Sequence, residues 1–202
     1  SLEQFMSIQK RLLLEQIELL RNCELGRKVM RGAMPETVEE FREQVPLTTY
    51  ADYCPELVGK REDVLPAKVS RWVRTSGRSG EYDAKWVPMS EDFSREYEKV
   101  CGGFTLFAFC NGRGDVSQIK EHLKVLYTMG PLEYGTGICG YLAQQAVGYD
   151  LLPSNTEEMP FQERIKVGFE EALYRGIDAF GGLPSVLVAV GERFKQQSGK
   201  TN

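Results

Sequence analysis

Apolar residues recur with a helical period in the first part of the chain. Residues 2–29 contain no proline and no glycine before Gly26, and they are rich in Leu, Glu, Gln, Lys and Arg. The apolar positions that follow this period are Leu2, Phe5, Ile8, Leu12, Leu13, Ile17 and Leu20. The pattern predicts one long amphipathic helix over residues 2–29.

Two shorter helices are predicted next. Pro35 is followed by acidic residues, and then by Val38 and Phe41 on the side expected to face inward. Residues 45–48 interrupt the helical pattern, and Thr49 is placed to cap a short helix that runs through Leu57.

From Val69 onward the sequence pattern changes from helical to strand-like. Residues 70–75 alternate like a strand, residues 76–80 favour a turn, and residues 85–88 are typical of the returning strand of a hairpin. A helix is predicted over residues 90–100, with Ser90 as its N-cap. The apolar run that follows it, residues 104–110, fits either a buried strand or the end of a helix.

The rest of the chain alternates between strand-like and helix-like segments. A loop is predicted at residues 181–185, and the other segments are strand 123–129, helix 138–147, strand 150–152, helix 162–175 and helix 186–196. Such alternation predicts an α/β fold, with helices flanking a largely parallel sheet and an N-terminal helical arm.

Composition narrows the functional classes. The 29 acidic and 25 basic residues are mixed along the chain, so non-specific nucleic-acid binding has little electrostatic support. No apolar run reaches the length that a bilayer requires, and no secretory signal is seen at the start, so we expect a cytoplasmic protein. Five cysteines without a CxxC pair predict reduced thiols and no metal site. His122 is expected to be a solvated helix residue without a role.

The turn after the first strand has the composition of a phosphate-binding loop. Glycines at positions 77 and 80 let the backbone approach a ligand closely, and exposed N–H groups in such a turn can surround phosphate oxygens. Hydroxyl groups add donors, Lys85 adds a mobile positive charge, and Arg78 can add a planar two-point contact. On composition alone, a Ser/Gly turn between two strands is more often only a turn.

Two motifs carry a family resemblance. Residues 74–80 read Arg-Thr-Ser-Gly-Arg-Ser-Gly and residues 85–88 read Lys-Trp-Val-Pro, which together resemble the phosphate-binding signature of the adenylate-forming (AMP-binding) superfamily. Upstream, residues 45–53 read Val-Pro-Leu-Thr-Thr-Tyr-Ala-Asp-Tyr. This segment resembles the Val-Pro-x-x-x-Tyr-x-Asp motif of the GH3 family, the plant auxin-responsive amino-acid-conjugating enzymes, and phenylacetate–coenzyme A ligases carry a related version.

The resemblance implies a function. Members of the superfamily use ATP and Mg²⁺ to activate a carboxylic acid as an acyl-adenylate, and then pass the acyl group to coenzyme A or to an amine. Lys85 would be the catalytic residue, and the expected phosphate binders are Thr75, Ser76, Gly77, Arg78, Ser79 and Gly80. Arg78 replaces the usual threonine, and Lys85 lies further from Gly80 than in most members.

Motifs that follow later in these ligases are not found. The chain is therefore expected to be the N-terminal phosphate-loop portion of a larger ligase, inactive without the missing remainder. Its expected organisation is a helical arm over residues 1–44, an incomplete α/β nucleotide-binding domain over residues 45–197, and a disordered tail over residues 198–202. The alternative is a non-catalytic binding or assembly module that retains the fold and uses residues 2–29 as its interaction surface.

A second glycine motif indicates a competing function. Residues 135–140 match GxGxxG at the start of a predicted helix, as in the dinucleotide-binding site of an oxidoreductase. Residues 131–134 separate these glycines from the preceding strand, and no acidic residue ends a second strand at the expected distance, which disfavours that site. The resemblance implies instead that this turn lines the acyl pocket, although tight packing of the helix on the sheet also explains it. The tripeptide at residues 113–115, Arg-Gly-Asp, is predicted to be a polar β-turn.

Overall fold

A computed structural model describes residues 1–77, 82–154 and 159–198, except for the side chains of residues 194, 197 and 198. The chain forms two compact units, Ser1–Glu91 and Asp92–Asn202. The predicted α/β class is confirmed: helices flank a parallel three-stranded sheet, and the chain begins with a helix. Most of the predicted tail, from residue 199 onward, lies outside the described residues.

The first helical segment differs from the prediction. Instead of one helix over residues 2–29, α1 (Leu2–Arg21) ends before α2 (Glu24–Val29) begins. Cys23 caps α2, because its Sγ atom accepts a hydrogen bond from the Gly26 N–H at 3.2 Å. The chain turns so tightly there that a Cβ on Gly26 would lie 2.0 Å from the Leu20 carbonyl oxygen. The helical period cannot reveal this break, since the residues around it are all compatible with a helix.

Each of the next two helices begins at a capping box, and the one at Thr49 was predicted. Thr37 and Glu40 form a capping box at the start of α3 (Val38–Gln44), and Thr49 and Asp52 form one at the start of α4 (Tyr50–Val58). A short 3₁₀ helix, Glu62–Val64, follows. Helix α2, helix α4 and the 3₁₀ helix contribute the four buried residues of one core, Leu25, Val29, Leu57 and Val64.

A hairpin completes the first unit. Strands β1 (Val69–Arg74) and β2 (Trp86–Ser90) pair antiparallel, with an irregularity between Val69 and Arg71. Trp72 of β1 packs on the core of the unit. The predicted hairpin is therefore confirmed.

Helix α5 (Glu91–Ala108) settles the open question about the apolar run at residues 104–110, most of which is the end of this helix rather than a strand. The Arg-Gly-Asp tripeptide lies in the predicted turn, closed by a bridge between Gly112 and Asp115. His122 is exposed, as predicted, but it lies in a turn with a φ of 58° rather than in a helix.

The parallel sheet of the second unit has the order β4-β3-β5. Its strands are β3 (Lys124–Thr128), β4 (Asp150–Leu152) and β5 (Ala179–Gly182). Helix α6 (Gly135–Val147) connects β3 to β4, α7 (Phe161–Arg175) connects β4 to β5, and α8 (Pro184–Ser198) follows β5. Val125 and Leu126 of the central strand are buried, as is Leu152 of β4.

Strand β5 corrects the loop predicted at residues 181–185. Gly181 and Gly182 pair with Tyr127 and Thr128 of β3. A Cβ at position 182 would lie 2.0 Å from Thr128 Oγ1, and one at position 181 would lie 3.0 Å from the Tyr127 ring. These glycines are therefore needed for close packing within the sheet, which the sequence alone presents as a turn signal.

Candidate functional site

The predicted phosphate loop lies at the end of the hairpin of the first unit. Beyond the strand pairing, the Thr75 N–H donates to the Lys85 carbonyl at 3.0 Å, and the Lys85 N–H donates to Thr75 Oγ1 at 3.1 Å. Thr75 and Lys85 thus close the base of the loop. The loop is accessible at Thr75 and Ser76, which are exposed, whereas Arg78, Ser79 and Gly80 lie outside the described residues.

Gly77 turns the chain inside this loop. Its φ is +70°, in the left-handed region that favours glycine. A Cβ at this position would lie 1.8 Å from the Asp83 carbonyl oxygen, so the outgoing and returning arms of the loop are in contact here. Any side chain at position 77 would force the backbone to move.

The Lys85 side chain lies beside two aromatic rings. Its Nζ atom is 5.6 Å from the ring centroid of Tyr50 and 5.9 Å from that of Tyr82, within the range of a cation–π interaction. The two rings meet edge to face, with centroids 5.1 Å apart. Among the described residues, Lys85 Nζ makes no ion pair, so its charge remains available to an anion.

The two sequence motifs are joined by one hydroxyl group. Tyr50, the first residue of α4, donates its hydroxyl hydrogen to the Trp86 carbonyl at 3.3 Å and accepts a hydrogen bond from the Trp86 N–H at 2.8 Å. The first turn of α4 is capped by a charged group, because the Thr49 N–H donates to the Asp52 carboxylate at 2.7 Å. This hydrogen bond holds the pKa of the Asp52 carboxyl below its ordinary value. The segment at residues 45–53 therefore supports the base of the hairpin.

Two residues near the loop were not found by sequence reasoning. Tyr82 contacts Tyr50 edge to face, and Lys60 places its Nζ atom 3.6 Å from the centroid of the Trp86 ring. Neither belongs to a recognisable motif. A cluster of aromatic and basic residues on both sides of the loop was the only signal in the sequence.

The glycine-rich segment in the second unit forms the first turns of α6. A Cβ on Gly137 would lie 2.0 Å from the Pro131 carbonyl oxygen, and one on Gly140 would lie 2.3 Å from the Tyr127 ring. The packing interpretation of this motif is confirmed. Residues 129–134 separate β3 from α6, so the immediate strand-to-helix turn of a dinucleotide site is not formed.

A cavity of about 240 Å³ in the second unit holds a cluster of thiols and phenols that the sequence did not reveal. The Tyr97 hydroxyl and Cys139 Sγ are 2.8 Å apart, and this bond to Cys139 raises the pKa of Tyr97 to about 12. Burial raises the pKa of the Cys101 thiol to about 11 and that of Tyr149 to about 12. Tyr97, Cys101 and Tyr149 therefore keep their protons at neutral pH.

All cysteines are free, as predicted. No helix in the described ranges combines the length and apolarity needed to cross a membrane.

The model of the GH3 family N-terminal domain matches residues 1–174, which is most of the chain. The chain therefore belongs to the GH3 family. At the level of the family, this places it among acyl-adenylate-forming ligases that join acids to amines, rather than among dinucleotide-dependent oxidoreductases. No curated protein sequence matches the chain.

Proposed function

We propose that the loop at residues 75–80 binds the β- and γ-phosphates of ATP while a carboxylic acid is activated as an acyl-adenylate. The observation that supports this most is the position of the superfamily's phosphate signature, which closes a hairpin with Thr75 and Ser76 exposed. Membership of the GH3 family supports the same reaction.

The described part of the loop fits phosphate chemically. Thr75 Oγ1 accepts a hydrogen bond from the Lys85 N–H, which leaves the hydroxyl hydrogen free to be donated. Ser76 is exposed, and Gly77 has the left-handed backbone conformation that occurs in anion-binding turns. In the proposal Arg78, Ser79 and Gly80 complete the loop.

The reaction needs orientation and charge neutralisation more than proton transfer. A carboxylate oxygen attacks the α-phosphorus of ATP, the bond from that phosphorus to the bridging oxygen breaks, and pyrophosphate leaves with the electron pair. Mg²⁺ would supply part of the neutralising charge when it is bound with ATP, and Lys85 would supply another part. The acyl group then passes to an amine or to the thiol of coenzyme A, with AMP as the leaving group. The natural enzyme would carry out this step in the cytoplasm.

Calorimetry with MgATP tests the proposal directly, because it measures binding even where the chain alone does not turn over. We expect Lys85→Met to weaken binding by about tenfold to a hundredfold, since a charge-assisted hydrogen bond contributes roughly 1–3 kcal/mol. The matched control is Lys10→Met, which removes the same charge from an exposed position on α1. Both variants should unfold at the temperature of the parent chain. Equal MgATP affinity in all three proteins would show that Lys85 has no role in binding phosphate.

A second candidate function is supported by α1. Its apolar side is largely exposed, with Leu2 at 77%, Phe5 at 56% and Ile8 at 49% of their full accessibility. Such a surface is typical of an interaction site, so the chain can also be a binding or assembly module that does not catalyse. Sedimentation of the parent and of Phe5→Glu tests whether α1 mediates self-assembly. If it does, the parent sediments as a larger species and Phe5→Glu does not.

A further inference from the structure

The cavity of about 240 Å³ in the second unit is lined by two cysteine side chains from different helices. Cys101 belongs to α5 and Cys139 belongs to α6. Both thiols are free, and the proposed activation of a carboxylic acid uses neither of them. Two thiols in the wall of one cavity can be joined by oxidation where the helices bring their sulfur atoms together.

Close packing of α5 on α6 brings these two thiols together. A Cβ on Gly102, the residue after Cys101, would lie 2.8 Å from the Ala146 Cβ atom, so the two helices are in contact here. Tyr97 and Cys101 are one turn of α5 apart and therefore lie on the same side of the helix. That side faces Cys139, because the Tyr97 hydroxyl lies 2.8 Å from Cys139 Sγ. The Cys101 thiol also forms a hydrogen bond with the Cys139 thiol.

The two thiols differ in their access to a small reactant. Cys139 is half-buried, whereas only 5% of Cys101 is exposed. Burial also raises the pKa of the Cys101 thiol to about 11, so this group keeps its proton at neutral pH. Since the thiolate is the nucleophile, a reactant that enters the cavity is attacked first by the Cys139 sulfur, and Cys101 reacts in a second step.

The Tyr97 hydroxyl favours this order. Its bond to Cys139 raises the pKa of Tyr97 to about 12, so the phenol keeps its hydrogen at neutral pH. Tyr97 can donate that hydrogen to the Cys139 sulfur, and a hydrogen bond of this kind favours the charged form of the acceptor. Tyr97 is thus a positioning residue for the sulfur that attacks first.

We propose that Cys101 and Cys139 are an oxidisable pair, which a hydroperoxide converts to a disulfide between α5 and α6. The bond would tie together two helices that line the cavity and would restrict how far they can separate. A small thiol such as glutathione would reverse it by two successive thiol–disulfide exchanges.

The oxidation has two steps. The Cys139 thiolate attacks one oxygen of hydrogen peroxide, the O–O bond breaks, and the departing hydroxide takes up the proton that the Cys139 thiol released. The products are a sulfenic acid at Cys139 and one water. The Cys101 sulfur then attacks the sulfenic sulfur, the S–O bond breaks, and the departing hydroxide takes the Cys101 proton to form a second water. Two thiols are oxidised to one disulfide while one peroxide is reduced to two waters.

Peptide mapping of the peroxide-treated chain tests the proposal. The full chain is incubated with hydrogen peroxide, the remaining thiols are alkylated, and the digest is analysed by mass spectrometry without reduction. We expect the main product to be the peptides of Cys101 and Cys139 linked to each other, with two hydrogen atoms lost, and we expect dithiothreitol to restore both thiols. Cys54 and Cys110 are the internal comparison, since both are half-buried and should still be alkylated.

Cysteine variants separate the two steps. Cys101→Ser removes the second sulfur, so a sulfenic acid should accumulate at Cys139 and react with dimedone. Cys139→Ser removes the attacking sulfur, so Cys101 should stay reduced under the same conditions. Tyr97→Phe should slow the dimedone labelling of Cys139 by about tenfold, the effect of roughly 1.4 kcal/mol from one hydrogen bond to a charged group. Tyr174→Phe is the matched control, because Tyr174 is 91% exposed, and it should react at the rate of the parent.

Two outcomes of the mapping would overturn the proposal: oxidation of Cys54 and Cys110 while Cys101 and Cys139 stay reduced, or a disulfide from either member of the pair to a different cysteine. Dimedone labelling of Cys101 in Cys139→Ser would overturn the order of the steps. The mapping of the parent decides the main question without any variant, so a variant that does not fold leaves that result in force. None of these measurements contains ATP or a carboxylic acid, so their outcome is independent of the proposed role of Lys85.

Discussion

The Tyr50 hydroxyl satisfies both main-chain polar groups of Trp86, accepting from its N–H at 2.8 Å and donating to its carbonyl at 3.3 Å. Tyr50 begins α4 and Trp86 begins β2, so a single side chain fixes the start of a helix to the start of a strand. Lys85, which closes the base of the loop, is the residue before Trp86, so the same contact also fixes the position of the loop. One hydrogen-bonded contact thus joins two motifs that are far apart in the sequence.

Tyr50→Phe tests this attachment. The substitution keeps the ring and removes the hydroxyl, which leaves the N–H and the carbonyl of Trp86 without that partner. We expect the free energy of unfolding to fall by about 1–3 kcal/mol, the usual cost of a partly buried polar group that loses its hydrogen bond. Urea unfolding measures the change. Tyr174→Phe is the control, since Tyr174 is 91% exposed, and it should unfold like the parent.

Gly77→Ala tests the shape of the loop. The added Cβ would meet the Asp83 carbonyl oxygen at 1.8 Å, and the φ of +70° is itself unfavourable for alanine, so the backbone of the loop must shift. We expect MgATP binding to be lost and the melting temperature to fall by a few degrees, because relieving the clash strains the hairpin. Gly114→Ala provides the comparison. Gly114 has a φ of +77°, but a methyl group added there would have no neighbour within 4 Å, so this variant should keep nucleotide binding intact.

Two helical glycines should respond in opposite directions to alanine. Gly168→Ala places a Cβ 2.7 Å from Pro153 Cδ and should destabilise the protein by about 1–3 kcal/mol, since α7 must move away from the sheet. Gly103→Ala in α5 meets nothing within 4 Å and should stabilise the protein by about 0.5–1 kcal/mol, because alanine lowers the entropy cost of forming a helix. Thermal unfolding of both variants gives the signs. A loss of stability in Gly103→Ala would contradict the finding that Gly103 faces open space.

The stability of the protein should depend on pH through the buried thiol of Cys101. Its pKa rises from 9.0 to about 11 on burial, so the folded state keeps a proton that the unfolded state releases at lower pH. The stabilisation is fully present below pH 9 and is lost as the pH rises toward 11. Urea unfolding at pH 8 and pH 10 should show a smaller loss in Cys101→Ala than in the parent. Cys110→Ala, at a half-buried turn position, should lose as much stability as the parent between these two pH values.

Local signals explain which parts of the fold could be predicted. Thr37 and Thr49 determine where their helices begin through contacts three residues away, and these contacts are visible in the sequence. The alternation of strands and helices after residue 123 is also a local pattern. In contrast, the break at Cys23 depends on the packing of Gly26 against Leu20, and β5 depends on Tyr127 and Thr128, which lie far away in the sequence.

The features of the candidate site also divide into those that a local sequence pattern predicts and those that depend on packing. Thr75, Ser76, Gly77 and Lys85 belong to one short motif, so the sequence alone is enough to name them as candidates, and their role in binding phosphate stays a prediction. The contact between Tyr50 and Trp86 spans 36 positions. No pattern within a short window contains that information, because it arises only when the elements pack.

The closure of the loop uses only main-chain atoms of Lys85, whereas it uses the hydroxyl of Thr75. The two positions therefore differ as places for a probe. A fluorescent or photo-crosslinking amino acid at position 85 would keep both closing hydrogen bonds. Its signal would report directly on a molecule that binds beside the hairpin. The same probe at position 75 would remove the acceptor of one of those bonds, and its signal would record the loosening of the turn instead.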